Sequence, residues 1–83
     1  MVKIAMYKHD NGSLLVIWRT LNWRTLNEKL IGELYRSGEY HRGKWDSRVT
    51  FNANNDGNVT EDSVKEYFGF STSNSIADWK RWA

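Results

Sequence analysis

The pentapeptide His9-Asp10-Asn11-Gly12-Ser13 constrains this chain more than any other stretch. An Asn-Gly pair between two β-rich runs favours a tight reversal through positive φ, which folds the runs onto each other. The flanking runs, residues 2–8 and 14–20, are β-branched, aromatic and apolar, so a β-hairpin is predicted. Alternation places Val2, Ile4 and Met6 on one face of the first strand and Lys3, Ala5 and Tyr7 on the other. In the second strand Leu14, Val16 and Trp18 oppose Leu15, Ile17 and Arg19. A strand apolar on both faces belongs at the centre of a sheet.

The hairpin leads into a perfect tandem, Trp18-Arg-Thr-Leu-Asn22 followed at once by Trp23-Arg-Thr-Leu-Asn27. Five residues rotate by about 140° on a helix and change face on a strand, so the copies cannot play equivalent roles in one element. The reading is replication slippage or an introduced duplication, the first copy ending a strand and the second opening a helix. Leu26, Leu30, Ile31, Leu34 and Tyr35 recur at three- and four-residue spacing. A main helix is therefore predicted from residue 22 or 25 to residue 36, with Ser37-Gly38 as its stop.

Residues 47–51 read as a third strand, with Val49 and Phe51 on one face. Residues 52–58 read as a polar loop, or as the turn of a second hairpin with residues 58–60 as a fourth strand. Thr60 is expected to cap a short helix to Phe68 whose first turn carries Glu61 and Asp62, and a last short helix is expected over residues 75–82. The expected fold class is α+β in a single domain of order ββαβαα, its main helix packed on the sheet. One core is all that 83 residues hold, and without Cys the twelve aromatic rings must supply much of the stability.

The absence of Cys also removes disulfide frameworks, thiolate-ligated zinc or iron–sulfur sites and thiol nucleophiles. The longest apolar run, residues 14–18, is far below the roughly 20 residues of a spanning helix, and no signal-peptide core is evident, so a cytoplasmic protein without a membrane partner is expected. Asn52 to Ser63 resembles an EF-hand calcium loop, Asn54, Asp56, Gly57 and Val59 matching its third, fifth, sixth and eighth positions. Asn52 and Ser63 stand where that loop carries carboxylates, so a turn with a helix cap is expected, and no metal or other cofactor.

Charge is uneven, +4 over residues 1–51 (nine Lys or Arg against five Asp or Glu) and −2 over residues 52–83 (three against five). Arg36, Arg42, Lys44 and Arg48 lie among Tyr40, His41 and Trp45, a mixture suited to tracking phosphates and stacking on bases. The same cations have Glu33, Glu39 and Asp46 at hand as structural partners. Residues 60–83, with Val64, Phe68-Gly69-Phe70-Ser71, Ile76 and Trp79, resemble the helix-turn-helix units of small phage and mobile-element regulators, excisionases and terminase subunits. That resemblance implies DNA contacts from Ser73, Asn74 and Ser75, with Lys80 and Arg81 on the backbone.

The expected function is thus a small non-enzymatic module that binds nucleic acid, DNA first, through these residues. Two alternatives stand beside it: an inhibitor or adaptor of phage type that binds a host protein, and a metal-free RNase-like toxin using Glu39, His41 and Arg42.

Overall fold

A computed structural model of the chain describes residues 1–52, 59–69 and 78–82. Its framework is an antiparallel sheet of β1 (Val2–Lys8), β2 (Leu14–Asn22), β3 (Asn27–Tyr35), β4 (Ser47–Asn52) and β5 (Lys80–Arg81). The spatial order is β4-β3-β2-β1-β5, so β2 is central. A single helix among the described residues, α1 (Glu61–Tyr67), packs on one face.

The predicted hairpin forms. Residues 9–13 reverse the chain, with Gly12 at φ 90°, Gly12 N–H donating to the His9 carbonyl (3.0 Å) and Ser13 N–H to Asn11 Oδ1 (2.9 Å). A bulge between Lys3 and Ala5 shifts the β1–β2 register.

The α+β expectation is overturned, because the segment predicted as the main helix is β3, paired residue for residue with β2 from Leu14↔Tyr35 to Asn22↔Asn27. The cause is burial on both sides. Leu30 and Leu34 face α1, whereas Ile31, Glu33 and Tyr35 point the other way and are also buried. A strand covered on both faces is a near-continuous apolar run, and such a run satisfies a helical stripe as readily as a strand. The tandem resolves accordingly: the first copy finishes β2, and Trp23 to Leu26 of the second form the turn into β3. Asn22 Oδ1 accepts from Arg24 N–H (3.0 Å), and Leu26 takes the left-handed conformation at φ 58°.

The third predicted strand is present as β4, and Thr60 caps α1 as expected, its N–H donating to Ser63 Oγ (3.3 Å). A last helix through residue 82 is excluded at its end, since Lys80–Arg81 forms a strand antiparallel to β1. Residues 53–58, half of the EF-hand-like loop, and the turn of the helix-turn-helix resemblance lie outside the described residues.

The core lies between sheet and helix: Ala5, Tyr7, Leu15, Ile17, Leu30, Leu34, Val64, Phe68 and Trp79. Gly32 of β3 lets the helix approach, because a Cβ there would fall 2.6 Å from both Val64 Cγ1 and Phe68 Cε2. On the opposite face Met6, Val16 and Tyr35 form a smaller cluster, with Leu14, Trp18 and Tyr40 packed against it.

Candidate nucleic-acid interface

Strand β5 brings the C-terminal cations beside the first hairpin. Tyr7 pairs with Arg81 and Lys8 with Lys80, and Trp82 N–H donates to the Met6 carbonyl (2.8 Å). The link from β3 to β4 arrives from the other side. Arg36 turns it through Gly38 (φ 83°), Glu39 N–H donating to the Arg36 carbonyl (2.9 Å), and residues Tyr40–Arg42 make one 3-10 turn ended by Gly43 at φ 68°. Tyr40 folds back under this turn and meets Tyr35 edge to face, centroids 5.2 Å apart.

Two adjoining concavities result. One is lined by Lys8, His9, Asp10, Lys80, Arg81 and Trp82, the other by Lys8, Gly12, Leu14, Arg36, Gly38, Tyr40, His41 and Trp82. Lys8 and Trp82 belong to both, so Trp82, 57% exposed, stands on the ridge between them. Lining the pair are four cations, Lys8, Arg36, Lys80 and Arg81, against the single carboxylate of Asp10.

Those cations are lightly held. Lys80 Nζ lies 3.6 Å from Asp10 Oδ1, and Arg36 Nε 3.3 Å from Asp46 Oδ2, with all four side chains exposed. Exposed pairs of this kind are worth about 0–1 kcal/mol and yield to a phosphate. Arg81 is more committed, reaching Glu61 (3.8 Å) and standing over the Tyr7 ring, 5.9 Å from its centroid. Tyr7 donates to the same Glu61 (3.2 Å), and burial first, then the Glu61 charge, raises its phenol above the ordinary value. His9 Nδ1 accepts from Asn11 N–H (3.1 Å), which leaves the ring proton of neutral His9 on Nε2.

Of the residues singled out in the sequence, Arg36, Tyr40, His41, Lys80 and Arg81 come together here. Arg42, Lys44, Trp45 and Arg48 line neither concavity. Arg42 pairs with Glu39 (3.6 Å), and Arg48 with Glu33 (3.3 Å), so each acid foreseen as a structural partner takes one cation. Ser73, Asn74 and Ser75 lie outside the described residues. Sequence reasoning missed Lys8 as a site member. The alternation that set Lys8 apart from its apolar neighbours was readable, but the pairing of β5 on β1 that brings Trp82 to it was not.

As for general acid–base chemistry, Glu39, His41 and Arg42 share one exposed turn, and Glu39 is engaged by Arg42. No group of three or more His, Asp or Glu that could hold a metal occurs among the described residues. No helix among them is long and apolar enough to cross a membrane. No family model, no curated protein and no solved structure matches the chain.

Proposed function

We propose that this chain is a non-enzymatic, cytoplasmic module that binds single-stranded nucleic acid across the basic end of its sheet. The observation that carries the reading is the convergence of Lys8, Arg36, Lys80 and Arg81 on the Trp82 ridge from three separate parts of the sequence. Cations on either side of an accessible ring suit a strand whose phosphates run along the two concavities while a base stacks between them. Stacking on Trp82 requires an unpaired base, which favours a single strand over a duplex. Insertion of a recognition helix into a groove is not part of this reading, because Lys80 and Arg81 are in a strand.

Anisotropy of a labelled oligonucleotide tests it. Affinity is expected to fall steeply with salt, and Lys8→Ala with Lys80→Ala should reduce the slope of log K against log salt by about 1.4, at ~0.7 for each phosphate no longer neutralised. Trp82→Ala should weaken binding roughly ten- to hundredfold at every salt concentration. Absence of binding at low salt, or binding indifferent to all three substitutions, would sink the proposal. An RNA cleaved during the measurement would favour the toxin reading instead.

An adaptor that binds a protein is supported by one different observation: β4 is an edge strand of six residues, and no described residue pairs with its outer side. An open, regular edge is a template for an added strand.

A further inference from the structure

The opposite end of the sheet has a different character. β1 pairs with β2 only as far as Val2↔Arg19, and β4 pairs with β3 only as far as Lys29↔Asn52. Among the described residues, β2 and β3 therefore run on alone through Leu21↔Glu28 and Asn22↔Asn27 to the turn, as a projecting two-stranded finger.

Its tip is apolar and exposed: Trp23 is 80% exposed and Leu26 61%. Leu26 holds its place at φ 58°, a conformation that Gly or Asn adopts at less cost. At the root of the finger Met1, Val2, Ile4 and Leu21 line a shallow apolar groove with Trp23 and Arg19. Arg24 stands in the tip beside Trp23, Arg19 lines the groove and pairs with Glu28 (3.1 Å), the one carboxylate of the finger, and Lys3 and Lys29 lie opposite Trp18 and Thr20 on the other face of the sheet.

We propose that this finger docks the protein on an anionic lipid bilayer, Trp23 and Leu26 entering the headgroup layer while Arg24, Lys29 and Lys3 stay among the lipid phosphates. A convex apolar tip needs a yielding partner that closes around it, and a bilayer interface does so. Trp is at home at headgroup depth, and cations beside an apolar wedge supply the attraction to anionic lipid. The expectation from sequence that no membrane is involved rested on the lack of a spanning run, which an interfacial finger does not need.

Vesicle co-sedimentation of the full chain decides the matter, using phosphatidylcholine alone and phosphatidylcholine containing phosphatidylserine. The chain should sediment with the anionic vesicles and not with the neutral ones. Trp23→Ser with Leu26→Ser should reduce partitioning roughly tenfold or more, as removal of the inserted apolar area requires, with thermal stability and oligonucleotide binding unchanged. Lys8→Ala with Lys80→Ala, at the far end of the sheet, should leave vesicle binding intact. Failure to sediment overturns the proposal, and so does sedimentation that survives loss of Trp23 and Leu26. Concentration-dependent self-association abolished by the tip substitutions would also overturn it, by making the finger an interface between copies.

Discussion

Burying a carboxylate in the middle of a strand is costly unless its lone pairs are met, and Glu33, 5% exposed, has them met three ways. Trp18 Nε1 donates to Oε1, the Tyr35 hydroxyl donates to the same oxygen (3.1 Å), and Arg48 Nε lies 3.3 Å from Oε2. This cluster ties β2, β3 and β4 together on the face without the helix, and its effect reaches the Tyr35 phenol. Burial first, then the Glu33 charge and hydrogen bond, pushes that phenol from 10.0 up to about 12. The folded chain thus holds the proton more tightly than the unfolded one. Stability from this source is complete below pH 10 and is lost as pH climbs from 10.0 towards 12. The urea midpoint is expected to fall across that window, and Tyr35→Phe should flatten the fall while costing about 1 kcal/mol at neutral pH for the lost hydrogen bond.

At the scale of elements, α1 and β3 meet at Gly32, and the fit leaves no room for a side chain. Gly32→Ala should lift the helix from the sheet and cost roughly 1–3 kcal/mol, the range for overpacking a tight core, read as a lower denaturation midpoint. An unchanged midpoint would mean that α1 yields without loss of packing. The same strand marks where sequence reasoning stopped. The first hairpin, β4 and the capped helix were legible because each carries a local signal, the Asn11-Gly12 turn, the Val49 and Phe51 alternation, and Thr60 ahead of two acids. β3 was not, since the helical spacing of Leu30, Ile31, Leu34 and Tyr35 also describes a strand buried on both faces, and only the pairing partner distinguishes them. β5 has two residues and no pattern of its own, being a strand only because β1 lies beside it. The cleft was legible in its composition and not in its assembly: Arg36 and Lys80 stood out as charges, whereas their meeting at Trp82 depends on that unreadable strand.

Over the whole molecule, which extends 40 Å along its longest axis, the basic cleft sits where β2 begins and the apolar finger where it ends. Nine residues of β2 at about 3.3 Å each hold the two about 30 Å apart, so a chain lying on lipid by its finger would present nucleic acid away from the surface. The length and register of that axis are set by the tandem. With residues 23–27 deleted, a turn of the same four residues would shorten the hairpin and pair Leu15 with Lys29 in place of Leu34. Because the period is odd, Ile31, Glu33 and Tyr35 would then face the helix, and Gly32 would face away. The deletion variant is expected to lose the cooperative unfolding transition and the dispersed amide spectrum of the intact chain. A native-like spectrum would show that a different turn can restore the register. In genetic terms the second copy is an in-frame unit whose loss leaves every downstream codon intact. A contraction that a gene comparison would score as minor would thus turn the third strand inside out.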